Sequence, residues 1–188
     1  MPATPRERIL DTAIQLFSRI GVNVVGVDRI VTEANVAPMT LYRHFDSKDE
    51  LIAAALEQWS AQWLQWLHDE IEGRGVDPTA RFNGLLDALQ ESLASQEHGG
   101  ALVTSAATEI RGEPNHPARK VITEHRAELR QVLEGLAKQV GVNDPARLAG
   151  QLQIIIDGFV VGTLIDRHRP ITSLRALANA ALSLGTEE

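Results

Sequence analysis

The sequence predicts an all-α fold of about nine helices, with an N-terminal three-helix unit over residues 4–50 and a helical bundle over residues 51–188. Three observations point there. Apolar residues recur three and four positions apart along nearly the whole chain, as one face of a helix requires. No stretch of useful length alternates apolar and polar residues as a half-buried strand would. Pro, Gly and Ser/Thr-x-x-Glu strings stand where helices should begin and end. With 188 residues the chain can bury a sizeable core. With no cysteine, that core uses neither disulfides nor thiolate-bound metal.

The first helix opens at Thr4-Pro5-Arg6-Glu7, a capping box with proline at the first helical position. Ile9, Ala13, Leu16, Phe17 and Ile20 form its buried stripe, and Gly21 ends it. A second, short helix begins at Val27, with Val27, Ile30, Val31 and Ala34 as its apolar face. Asn35 tolerates the left-handed backbone of a sharp stop, and Pro38 suits the first position of a third helix. There Leu41 and Phe45 are spaced to dock on the second helix, which turns Met39, Thr40, Tyr42, Arg43 and His44 outward. Residues 27–45 therefore read as a helix-turn-helix whose second helix is built to lie in the major groove of DNA. Ser47-Lys48-Asp49-Glu50 is a further capping box, with Glu50 reaching back, so a fourth helix starts at once.

The run Thr40-Leu41-Tyr42-Arg43-His44-Phe45-Asp46-Ser47-Lys48 resembles the DNA-binding segment of the TetR family of bacterial transcriptional regulators, usually Thr-Leu-Tyr-x-His/Tyr-Phe-x-x-Lys. Gly21 and Val27-Asp28-Arg29-Ile30 also stand where that family has them, and the resemblance is strong over residues 5–51. The family commonly has Ser or Thr where Gly26 stands, Gly at Asn35, Ser at Ala37, and Lys-Gly at Pro38-Met39. Gly26 is an acceptable N-cap, whereas Ala37 is a poor one, worth about 1 kcal/mol less than Ser. These departures bear on base preference more than on fold. The resemblance implies that Thr40, Tyr42, His44 and Lys48 touch DNA, Tyr42 and Lys48 mostly at phosphate. By side-chain chemistry, Met39 is a candidate for a thymine methyl and Arg43 for guanine O6 and N7. Arg29 would grip backbone or base, and Pro38 opens the reading helix. The alternative for each is an ordinary solvated surface residue.

A long fourth helix, about Lys48 to Glu72, carries Trp59, Trp63 and Trp66 at i, i+4 and i+7, so the three indoles share one face. Two readings are compatible: a core stripe between helices, or the aromatic wall of a small-molecule cavity in the bundle. Gly73–Pro78 breaks the chain, and a fifth helix to about Gln96 buries Phe82, Leu85, Leu86, Leu89 and Leu93. After His98-Gly99-Gly100, a short sixth helix presents Val103, Ala106, Ala107 and Ile110. The loop Glu113–Pro117 leads into a seventh, Ala118 to Val140, with Ile122, His125, Leu129, Val132, Leu136 and Val140 on one stripe. Asp144-Pro145 then opens an eighth, to about Asp166. Leu148, Leu152, Ile155 and Phe159 cover one of its faces, and Ile154, Val161 and Ile165 another. A single monomer core covers only one of these faces, and Gly158 and Gly162 would let a second backbone approach. With a ninth helix over about Thr172 to Leu184, this predicts a homodimer interface of Ile155, Gly158, Phe159, Gly162, Leu174, Leu177 and Ala181. The four-helix interface implied by the resemblance agrees.

A formal net charge of −7 looks wrong for a DNA binder until it is divided. Residues 1–48 hold six Lys/Arg against five Asp/Glu, and the remainder twelve against twenty, so the cations sit at the N-terminal end. So small an excess predicts few phosphate contacts per subunit and a modest salt dependence. Two recognition helices related by a two-fold axis predict a palindromic site on double-stranded DNA. The resemblance further implies repression relieved by a small-molecule effector that binds among helices four to eight, tilts helix four and respaces the recognition helices. Trp59, Trp63, Trp66, Phe82, Glu109, His125 and Asp157 are the candidate effector contacts; for Glu109, His125 and Asp157 a structural, hydrogen-bonded role is the alternative. An acidic domain with an indole wall favours an apolar or cationic ligand over an anion. No enzyme, cofactor or metal is expected: the one Glu-x-x-His string, Glu113-Pro114-Asn115-His116, holds a proline, lies in a loop and has no second copy. The segment MPATPRERILD lacks the apolar centre of a signal peptide, and no uninterrupted apolar run nears ~20 residues. A cytoplasmic protein without membrane contact is expected. The competing function is a helical ligand-binding or interaction protein with weakened DNA binding.

Overall fold

A computed structural model describes residues 3–94, 101–165 and 172–186. Among these it forms nine helices and no strand: α1 (Pro5–Ile20), α2 (Val27–Glu33), α3 (Pro38–His44), α4 (Lys48–Glu72), α5 (Pro78–Ala94), α6 (Leu102–Glu109), α7 (Ala118–Val140), α8 (Pro145–Ile165) and α9 (Thr172–Thr186). The break expected at His98–Gly100 and the side chain of Leu93 lie outside the described residues.

Local chemistry sets most boundaries. Thr4 Oγ1 accepts from the Glu7 N–H and the Glu7 carboxylate accepts from the Thr4 N–H, closing the capping box. These bonds hold the Glu7 carboxyl below the usual carboxylate range. Asn35 stops α2 with φ +52°, while Gly26 and Ala37 begin α2 and α3 with no side-chain cap. At α4, Ser47 Oγ accepts from the Glu50 N–H, but Glu50 reaches one residue further back than a capping box does, to the N–H of Asp46. Asp77 caps α5 and Asp144 caps α8 through backbone N–H groups three residues on.

The chain forms two compact units, Met1–Gln62 with Leu102–Glu124 and Trp63–Ala101 with His125–Glu188. The first half of α4 thus lies in the first unit and its second half in the second. Leu51, Ile52, Ala55, Leu56 and Trp59 of α4 are buried, as are Leu102, Val103 and Ala106 of α6, and all belong with the N-terminal helices. In this unit α1, α2 and α3 pack on one another, and Ile9, Leu16, Phe17, Ile30 and Leu41 are almost wholly enclosed. Ile20 and Val27, expected in the stripes, are only half-buried. Gln58 donates to Asp11 at 2.8 Å, fastening α4 to α1.

In the second unit Phe82, Leu85, Leu86 and Leu89 of α5 are buried, as are Leu129, Leu133, Leu136 and Ala137 of α7. Leu133 and Ala137 take the core places expected of Val132 and Val140, which are half-buried. α8 packs along α9. Of the residues expected at the interface, Phe159, Gly162, Leu174 and Ala181 are buried within the chain, Ile155 is half-buried, and Gly158 and Leu177 are exposed. The face left open on α8 is Ile154, Gly158, Val161 and Ile165, with Leu164 beside it; on α9 it is Leu177 and Leu184. Apolar on both sides and 21 residues long, α8 is also long and apolar enough, by length and composition, to cross a bilayer. The most apolar part of α8 is 44% buried inside the chain.

Candidate nucleic-acid interface

The turn between α2 and α3 is tied by the Asn35 N–H to Thr32 O (3.2 Å) and the Val36 N–H to Val31 O (3.1 Å). Arg8 of α1 donates to the Asn35 carbonyl at 3.4 Å, bracing the turn from behind. Pro38 follows at the first turn of α3, and Leu41 and Phe45 bury the helix's inner face. What remains outside is a short helix presenting Met39 (72% exposed) and Tyr42 (51% exposed), with Pro38, Arg43 and His44 also exposed. Thr40 is half-buried, so it stands at the margin of this surface. The side chains of Met39, Tyr42 and Arg43 make no hydrogen bond or ion pair among the described residues. A large apolar side chain, a phenol and a guanidinium free of internal partners on one exposed helix suit contact with groove edges and phosphate.

Two expected DNA contacts have partners here. Arg29 pairs with Glu33 one turn on, Nε to carboxylate at 2.7 Å, both largely exposed. Such an exposed pair is weak enough to exchange for a phosphate. Lys48 Nζ donates to the Asn23 carbonyl at 3.1 Å, which ties the start of α4 to the loop between α1 and α2. Arg6 of α1 was not foreseen as part of this surface. Its guanidinium lies 5.5 Å from the centre of the Phe45 ring, at the end of α3. No local pattern in the sequence signals that contact.

The expected effector contacts are divided between the units. Trp59 and Glu109 belong to the first, and Trp63, Trp66, Phe82, His125 and Asp157 to the second. A shared helix face does not ensure a shared environment, because different elements cover α4 along its length. Glu109 is engaged with Asn23, accepting its N–H at 2.8 Å, and Asp157 is clasped by both terminal nitrogens of Arg126 at 2.8 Å each. The Asp157 hydrogen bonds, opposed in part by desolvation, raise the Arg126 pKa. What does converge is Trp63, whose ring centre lies 5.4 Å from that of His125 and 6.4 Å from that of Trp66. Its Nε1 donates to buried Ser92 at 2.8 Å.

Burial, and secondarily the charge of Arg126, lowers the His125 pKa from 6.5 to about 4. The unfolded chain takes up this proton near pH 6.5, and the folded chain refuses it until about pH 4. The stability His125 contributes as a neutral ring is present above 6.5 and is lost as pH falls through that window. By pH 4 the loss should reach about 3 kcal/mol. Urea midpoints measured from pH 7 to pH 4.5 should fall more steeply in wild type than in His125→Phe, and parallel curves would contradict this assignment.

Asp49, Glu113 and His116 bring one ligand atom each within 4.8 Å of one another. His116 Nδ1 accepts the Ala118 N–H at 3.1 Å, capping α7, so the ring proton sits on Nε2 and faces Asp49 at 3.6 Å. The ring thus offers the two carboxylates a donor rather than a lone pair, an arrangement that suits a structural link better than a metal.

Comparison with known proteins agrees with this geometry. Residues 9–55 match the family model described as bacterial regulatory proteins, tetR family. The HTH-type transcriptional regulator YjdC of Escherichia coli is 23% identical over 168 residues, 87% of this chain and 85% of that protein. The HTH-type nicotine-responsive transcriptional repressor HdnoR of Paenarthrobacter nicotinovorans is 25% identical over 168 residues, 88% of this chain and 86% of its own length. Among solved structures, SCO4454, a TetR-family transcriptional regulator from Streptomyces coelicolor, superposes with a TM-score of 0.82 at 26% identity, covering 97% of this chain and 96% of that one.

Proposed function

Because this chain belongs to the TetR family of bacterial transcriptional regulators, we propose that it represses transcription by binding a palindromic operator as a homodimer and is released by a small-molecule ligand. The observation that carries the DNA-binding part is α3: Leu41 and Phe45 lock it inward, while Met39, Tyr42 and Arg43 stand exposed without internal partners. Residues 4–50 supply the DNA contacts, and effector binding and dimerisation are the work of residues 51–188. Arg43 reads guanine, Met39 a thymine methyl, and Tyr42, His44, Thr40, Lys48 and Arg29 fix register on the backbone. The open apolar face of α8 and α9 supports self-association. For the effector, Trp63, Trp66, Phe82 and His125 are the contact region, and indoles beside an imidazole kept neutral favour an apolar or cationic molecule. The protein works in the cytoplasm, where its operator lies.

The test is selection of sites from random-sequence DNA at physiological salt, with Tyr42→Ala and Arg43→Ala in parallel. One palindrome should emerge. Tyr42→Ala should weaken it uniformly, and Arg43→Ala should relax particular base positions by about 10- to 100-fold. If wild-type protein refolded free of any ligand also enriches nothing, the function proposed here is wrong.

A further inference from the structure

Glu109 is the last residue of α6, where helix carbonyls lack partners and the dipole disfavours a carboxylate. Its position there is supported by Asn23. The Asn23 N–H donates to the Glu109 carboxylate at 2.8 Å, and the Asn23 side-chain amide donates back to the Glu109 carbonyl at 3.1 Å. On its other side the Asn23 carbonyl accepts from Lys48 Nζ at 3.1 Å. Gly21 makes the room, since a Cβ there would lie 2.7 Å from Glu109 Oε1. Among the described residues, every side-chain hydrogen bond or ion pair joining residues 1–47 to the chain beyond α4 is one of the two between Asn23 and Glu109. Among the described residues, this Asn23–Glu109 pin is therefore the one side-chain polar link from residues 1–47 to the chain beyond α4, and it also orients Lys48.

We propose that Glu109 is a positioning residue for operator binding: through Asn23 it sets the α1–α2 loop and the Lys48 ammonium in the placement that DNA requires. The proposal rests on the operator-binding reading above. The carboxylate is the working group, because it takes the loop N–H, and the loop carbonyl in turn takes Lys48. An amide at 109 keeps an acceptor oxygen and so keeps the pin.

The experiment uses the full chain and the site recovered by selection, with affinities read by fluorescence anisotropy. Glu109→Ala should weaken binding about tenfold or more, within the usual range of such couplings. Glu109→Gln should stay within about threefold of wild type. In a Lys48→Ala background, Glu109→Ala should add little, because both substitutions break one chain of contacts. Hydrogen exchange should accelerate at the Asn23 amide while α3 amides keep their protection, an outcome that general loosening of the fold would not give. Should Glu109→Ala fail to fold, Glu109→Met, which keeps the side-chain bulk but removes the acceptor of the Asn23 N–H, serves the same cycle. If wild type binds its site and Glu109→Ala binds it equally well, or if the Lys48 and Glu109 effects simply add, the pin has no positioning role. Wild type that binds no DNA would instead sink the underlying reading.

Discussion

Gly21→Ala should destabilise the protein by about 3 kcal/mol, a large share of what a domain of this size has to lose. Gly21 ends α1 with φ +103° and ψ 154°. That region is essentially glycine's alone, and forcing a side chain into it costs about 1–3 kcal/mol. A Cβ would also meet the Glu109 carboxylate, whose three nearest atoms lie at 2.7, 3.0 and 3.1 Å. Glu109 can swing aside only by releasing the Asn23 N–H, which adds about 1 kcal/mol for the lost bond. Gly112 is the control, with no neighbour within 4 Å and no positive φ, so Gly112→Ala should shift stability by less than about 0.5 kcal/mol. Urea unfolding of the two variants beside wild type decides the matter. Equal midpoints for Gly21→Ala and Gly112→Ala would refute the strain argument.

How much of this was legible beforehand depends on how far each interaction reaches along the chain. The helix-turn-helix was legible because its determinants are local. The Thr4–Glu7 box, the left-handed Asn35, Pro38 at the start of α3 and the Leu41/Phe45 pair each act within about one helical turn. Contacts that join distant residues left no such trace. Glu109 meets Asn23 across 86 residues and Arg126 meets Asp157 across 31. A carboxylate in an apolar helix looks the same in sequence whether it lines a cavity or serves a remote arginine. α8 is legible only in part, for a different reason. When both faces of a helix are apolar, periodicity locates two stripes but cannot say which one the chain itself covers. The expected interface accordingly takes residues from both stripes, and Phe159 and Gly162 belong to the one that the chain itself buries.

That distinction gives the second large effect. Val161→Glu combined with Leu177→Glu should yield a helical monomer that has lost operator binding. Ile154 (73% exposed), Val161, Leu164 and Ile165 on α8, with Leu177 (56% exposed) and Leu184 on α9, offer more apolar surface to solvent than scattered single residues would. Nothing lies within 4 Å of where a Gly158 Cβ would stand, so another helix can approach closely there. In a two-fold interface each substitution counts twice, placing four carboxylates where apolar surfaces meet, at several kcal/mol for each that stays charged and unpaired. Within one chain the same positions face water, so circular dichroism and the thermal midpoint of the monomer should change little. Each freed subunit could hold only a half-site. Losing the second contact removes the gain from effective concentration, about 10²- to 10⁴-fold in affinity. Sedimentation equilibrium and anisotropy on the selected palindrome read the two consequences separately. A double variant that still sediments as a dimer would place the interface elsewhere. A monomer that still binds the palindrome at wild-type affinity would show that recognition does not depend on the pairing of two copies.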